Sequence, residues 1–171
     1  MSSDRPSRRA ALGLIGAGAG AGALAGCGFA PVYAPGGQAS ALRGQVLPDP
    51  PGGRLAFTYV GQIETRLGRA NDGAAYALSY LFDVRTVETA QTGFGNPLVL
   101  SLESPVDYAL RDRQSGRVLT SGRVTGFTTY TDTGSSVAVE AAREDAEDRL
   151  AVILADRTVT RLLSTAPAWL S

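Results

Sequence analysis

The chain has no histidine and no lysine, and it carries one cysteine in 171 residues. Without histidine there is no Ser-His-Asp or Cys-His nucleophile, no imidazole base and no histidine-bound metal. One cysteine excludes a cysteine zinc site and an intrachain disulfide. Absence of lysine removes Schiff-base chemistry and the phosphate-loop lysine. All 16 basic residues are arginine, balanced by 16 acidic ones. A zero net charge argues against capture of nucleic acid by bulk electrostatics. The length is that of one domain with a modest core.

The charge is unevenly placed. Arg5, Arg8 and Arg9 precede an uncharged run of 16 residues, Ala10 to Ala25, made of Ala, Gly, Leu and Ile. That run is short for a membrane-spanning helix, and its glycines weaken helix propensity. Arginines, a short apolar run and small residues together read as a secretory signal peptide over residues 1–26. Its end, Leu24-Ala25-Gly26-Cys27, resembles the lipobox of bacterial lipoproteins. The resemblance implies that Cys27 becomes the first residue of the mature chain and carries diacylglyceryl and N-acyl groups, with no other cofactor. Several acyl chains hold a protein stably on a bilayer, at roughly 0.8 kcal/mol per buried CH₂. Gly28 after the cysteine, by the enterobacterial sorting rule, implies the outer membrane, with the protein on its periplasmic face. Ser7-Arg8-Arg9 is also similar to a twin-arginine export signal, which leaves the export route open. Nothing after Cys27 is long and apolar enough to span a bilayer.

Removal of residues 1–26 leaves 13 arginines against 15 acidic residues, a net charge of −2. Residues 27–53 are rich in Pro, Gly and Ala and read as a tether, reaching roughly 30 Å, with room for a short strand near Leu42 to Leu47. A single domain over residues 54–171 follows. Leu55, Ala56, Tyr59, Val60, Ile63 and Leu67 share one helical face, and Gly68 supplies a stop. From Tyr76 to Arg85 apolar and polar residues alternate as in a half-buried strand. After a break at Gly93-Phe94-Gly95-Asn96-Pro97, the even positions from Leu98 to Leu110 are mostly apolar and the odd ones mostly polar. Pro105 marks a bulge or an edge position. Asp112 to Arg117 is a hairpin connection, and the return strand runs from Val118 to Tyr130. Residues 131–136 offer an N-cap to a long helix from about Val137 to Leu163. Its acidic residues cluster early and Arg157 and Arg161 late, as the helix dipole prefers. That helix is apolar on two sides, so a second cover beyond its own sheet is expected: a partner, or the rest of a small core reached by a bend. The fold class is α+β, with a small antiparallel or mixed sheet and two helices on one face.

Constellations for chemistry are weak. Glu144, Asp145, Glu147 and Asp148 read as a solvated helix face, and Gly93-Phe94-Gly95 is not followed by a helix, so it is no phosphate loop. Arg111, Arg113 and Arg117 bracket the hairpin tip. Arginine pairs bidentately with phosphate and keeps its charge, so these three are candidates for contact with lipid or lipopolysaccharide, although Asp107 and Asp112 beside them favour ordinary surface pairing.

The order of elements resembles the lipopolysaccharide-assembly lipoproteins of the LptE family, in their alphaproteobacterial form. The residues that carry this are Cys27-Gly28-Phe29-Ala30-Pro31-Val32-Tyr33, the hairpin from Tyr108 to Gly116, and Ala141 to Leu163 with Arg149-Leu150-Ala151 and Arg161-Leu162-Leu163. The resemblance implies a non-enzymatic outer-membrane lipoprotein. It would plug and assist the LptD-type β-barrel and help deliver lipopolysaccharide to the outer leaflet. The alternative is an auxiliary periplasmic lipoprotein of an envelope ABC transporter.

Overall fold

The computed structural model describes residues 37–90, 98–132 and 134–170. The expected signal peptide, Cys27, the first part of the tether and the break at Gly93–Pro97 lie outside the described residues. In chain order the elements are α1 (Gln38–Leu42), β1 (Val46–Pro48), α2 (Arg54–Leu67), β2 (Tyr76–Phe82), β3 (Arg85–Ala90), β4 (Leu98–Asp112), β5 (Val118–Asp132) and α3 (Ser136–Thr165). A short 3₁₀ turn, Ala166–Ala168, closes the series. None of the described helices is long and apolar enough to cross a membrane.

Apolar alternation makes β4 the central strand. Leu102, Ser104, Val106, Tyr108 and Leu110 point to the core, while Glu103, Asp107 and Arg111 are exposed. One side of β4 pairs along its whole length with β5, all antiparallel. The other side takes β2 opposite its C-terminal half and β3 opposite its N-terminal half. Sequence alternation suggested one strand from Tyr76 to Arg85; the structure divides it at Asp83–Val84. The cause is Pro105. Its carbonyl accepts from the Asp83 N–H at 3.3 Å, so its own missing N–H faces the same side, and the ladder lapses there. Pro105 thus sits in a central strand and places the gap in the neighbour.

β1 pairs parallel with β2, Val46 opposite Tyr76, which makes the sheet mixed. Residues 38–48 were expected to belong to the tether, yet Leu42 and Val46 are at most 1% exposed and Pro48 is buried. The Gly44 N–H donates to the carbonyl of Leu67 at 2.7 Å, satisfying the last turn of α2. Proline and glycine are concentrated on either side of this segment, and within it two aliphatic side chains suffice to seat an edge strand. The domain therefore begins before residue 54. Gly68 ends α2 at φ +80°, a backbone that a side chain would strain.

Both helices lie on one face of the sheet. α3 covers β5 where Gly126 has no side chain: a Cβ there would lie 3.1 Å from Leu154 and 3.2 Å from Leu150. The other side of α3 is covered by α2. Ala151, Ala155 and Thr158 are fully buried, and their small size admits a close helix pair. The second cover expected for α3 is therefore supplied by the same chain. Tyr59 OH donates to Thr158 Oγ1 at 2.9 Å, and Thr158 Oγ1 donates to the Leu154 carbonyl at 2.9 Å. Burial raises the Tyr59 phenol well above its ordinary pKa, so it stays neutral. Tyr59, Tyr80 and Phe82 form an aromatic cluster with centroids 5.0–5.4 Å apart. Ser135 occupies the N-cap of α3 without a side-chain cap; its carbonyl accepts from Val139.

The Tyr59–Thr158 bond makes an asymmetric expectation. Thr158→Val leaves a buried phenol without an acceptor and is expected to cost about 1–3 kcal/mol. Tyr59→Phe leaves Thr158 bonded to Leu154 and should cost about 1 kcal/mol. Leu154→Ala should cost about 2–5 kcal/mol. Equilibrium urea unfolding of the three variants checks the order.

Candidate functional site

The carboxylates of α3 are occupied by arginines. Arg54 from α2 donates to Glu144 at 3.0 Å and to Asp148 at 2.7 Å, and Thr58 donates to Asp148 at 2.8 Å. Arg143 pairs with Glu147 at 3.0 Å, and Arg149 with Asp145. Further along, Gln62 donates to Asp156 at 3.0 Å. The contacts of Arg54, Thr58 and Gln62 form a polar seam along the α2–α3 groove. The hydrogen bond from Arg54 is the main reason that the Asp148 carboxyl titrates below its ordinary range.

The three hairpin arginines do different things. Arg113 Nη1 donates to the carbonyls of Asp72 at 2.6 Å and Ala74 at 2.9 Å, so it clamps the loop before β2. Arg111 lies on the sheet face away from the helices, opposite Ala77 and Val118, and is exposed. Arg117 is exposed at the turn beside Asp112. That carboxylate is held low first by the Ser115 side-chain hydrogen bond, and the Arg117 charge contributes less.

The second face of the sheet carries no helix. One row across it reads Leu81, Asp107, Arg123, and another, beyond Pro105 and Thr125, reads Arg85, Glu103, Phe127. Arg123 donates to both Asp107 oxygens at 2.6 Å, a bidentate cross-strand pair. Among these charges stand Leu81, 71% exposed, and Phe127, 63% exposed. Sequence alternation showed that this face is polar, and it is the apolar residues within it that set it apart.

One grouping escaped the sequence reading. Arg157 and Arg161, attributed there to the helix dipole, stand beside Arg123 around a hollow of about 330 Å³. Their four-residue spacing and the odd parity of Arg123 were visible; that α3 lies along β5 was not.

No protein-family model matches the chain, and no curated protein is similar to it in sequence. Solved structures do match. A candidate lipoprotein from Caulobacter crescentus CB15 superposes with a TM-score of 0.62 at 24% identity, covering 74% of this chain and 93% of that one. A minor lipoprotein from Acinetobacter baumannii gives 0.51 at 16% identity, over 71% and 94%. Rare lipoprotein B from Shewanella oneidensis gives 0.51 at 14%, over 71% and 93%. This is a fold found among bacterial lipoproteins. In each comparison the match takes in more than nine tenths of the other chain, so the α+β unit is nearly all of those structures.

The acidic groups Asp107, Asp112, Glu140 and Asp148 all titrate below their ordinary values, each chiefly through a side-chain hydrogen bond. A carboxyl with a folded pKa below its unfolded one stabilises fully above the unfolded value, about pH 4. That contribution is lost as pH falls through the folded value. Thermal unfolding should therefore shift to lower temperature below about pH 5. Arg54→Gln should lower stability at pH 7 only slightly, as for an exposed ion pair, and should flatten this acid slope. Melting curves between pH 7 and pH 3 measure both.

Proposed function

We propose that this chain is a lipid-anchored lipoprotein of the outer membrane, of the LptE type. In this reading Cys27 is acylated, and the α+β domain plugs an LptD-type β-barrel and helps deliver lipopolysaccharide to the outer leaflet. The observation that carries it is a conjunction. The chain's single cysteine stands in a lipobox, and the domain behind it has a fold found among lipoproteins, rare lipoprotein B included. The likeness in fold supports a lipoprotein; the barrel and the lipopolysaccharide rest on the order of motifs from Cys27 to Leu163.

The geometry refines how such a plug would work. An enclosing wall would meet exposed apolar side chains on both sides, Leu81 and Phe127 among paired charges on the open sheet face and Phe57 and Val137 on the helices. Of the hairpin arginines, Arg111 and Arg117 are the ones free to meet lipopolysaccharide, since Arg113 holds a loop. No catalytic step is assigned; the protein acts by fit.

Affinity purification of the tagged full chain from membranes is expected to bring down a β-barrel of the LptD type, and depletion should remove lipopolysaccharide from the cell surface. Recovery of the chain alone, with lipopolysaccharide display unchanged on depletion, would overturn the reading. Cys27→Ser should release the protein from the membrane fraction, which fractionation and acyl labelling detect.

A further inference from the structure

We propose that the open edge formed by β2 and β3 pairs with the same edge of a second copy of this chain, antiparallel and centred on Val84, joining the two sheets. This pairing stands apart from the barrel reading and describes the chain when no wall encloses it.

β2 and β3 share one edge despite the gap between them. Phe82 lies opposite Val106 and Arg85 opposite Glu103, three residues on along both strands, so the register passes Asp83 and Val84 without a shift. The Asp83 N–H donates to the Pro105 carbonyl, so Leu81, Asp83, Arg85 and Val87 turn their backbone groups toward β4. Phe82, Val84, Thr86 and Glu88 therefore turn theirs outward. The Leu78 carbonyl, in the same outward phase, is taken by the Asp49 N–H where β1 ends. Among the described residues no strand lies beyond this point: β1 pairs with β2 only as far as Leu78, and β3 pairs only with β4.

The side chains along the edge say what fits it. On the open sheet face they run Leu81, Asp83, Arg85, Val87, with Asp83 and Arg85 ion-paired. Leu81, Val84 and Val87 are three of the eight large apolar side chains left exposed among the described residues, and they fall within seven consecutive positions. Charged residues usually guard a bare edge against a copy of itself. Here their order does the reverse in one register. With the two-fold axis at Val84, Leu81 of each copy opposes Val87 of the other, and Asp83 of each opposes Arg85 of the other. Apolar thus meets apolar and acid meets base, twice over.

The hydrogen bonds agree with that register. Val84 would exchange both backbone bonds with its counterpart, and Phe82 with Thr86, which are outward-facing groups. Other symmetric registers are poorer. Centred on Arg85 or on Glu88, the pairing sets like charges face to face; centred on Thr86, it sets Arg85 against Val87. The pairing also ends by itself. Opposite Tyr80 the other copy's Glu88 precedes a bulge, and beyond Tyr80 the edge belongs to β1. The contact is isologous, closes at two copies and keeps the helices of both on one side of the joined sheet. Its size is at the small end of specific interfaces, which sets the expected Kd at about 10–100 µM.

Sedimentation equilibrium of the full chain, in detergent matched to the density of the solvent, is expected to show monomer passing to dimer across that range. Asp83→Arg and Arg85→Asp should each weaken dimerisation at least about tenfold, with melting temperatures unchanged. An equal mixture of the two variants should restore it, because each supplies the charge that the other lacks. Arg69→Asp, at an exposed arginine paired with Glu64, should have no effect. A directly opposed pair of this class brings Cα atoms to about 4.5 Å, within disulfide reach. The chain carrying both Leu81→Cys and Val87→Cys should therefore oxidise to a covalent dimer, and Val87→Cys alone should not. A monomer throughout the range overturns the proposal. So do charge variants that dimerise as the parent chain does, a mixture that fails to restore the dimer, or a Val87→Cys chain that links to itself.

Discussion

The alternation of β4 is the constraint on which the rest depends. Its even side chains form the floor of the core, its two backbone edges carry β2 with β3 on one side and β5 on the other, and its odd side chains define the open face. A shift of one residue would turn Leu102, Val106 and Leu110 to water and bring Glu103 and Asp107 beneath the helices. Pro105 is tolerated in so central a place because its missing N–H falls on the side where the neighbouring strand is interrupted.

The helix pair completes that floor and closes itself. α3 takes part in two interfaces, with aliphatic residues toward β5 and small residues toward α2, and the polar seam from Arg54 to Asp156 lies along the rim. Exposed apolar side chains stand on both sides of the molecule: Phe57 on α2 and Val137 on α3, and Leu81 and Phe127 among charged pairs on the bare sheet face.

Much of this was legible in the residues. Period-two and period-3.6 patterns placed β4, β5, α2 and α3 to within a few residues of their ends, because each buries one clear face. The hairpin after Asp112 followed from its turn residues. What escaped detection depends on contacts between distant segments. Residues 38–48 read as tether with room for a short strand near Leu42 to Leu47, and only the packing shows that Leu42 and Val46 belong to the core. β3 is exposed at every described side chain, so it leaves no hydrophobic period to find. The second cover of α3 needed the packing of α2, and the neighbourhood of Arg123, Arg157 and Arg161 needed the path of α3 along a strand. Arg113 looked like a ligand contact and is a loop clamp, since nothing in the local sequence reveals two carbonyls some forty residues away.

The arginines of α3 also have a consequence for the sheet as an assembly. Arg149 donates to the Thr129 carbonyl at 3.0 Å and Arg157 to that of Thr125, so two carbonyls on the outer edge of β5 are taken by the protein's own helix. At the far side β1 is three residues long and ends in Pro48, with Pro50 and Pro51 close behind. An incoming strand finds hydrogen-bonding positions removed at both places. The sheet is self-terminating at those two places, which leaves the outer edge of β3 as the one where, among the described residues, neither helix nor proline stands in the way of an added strand.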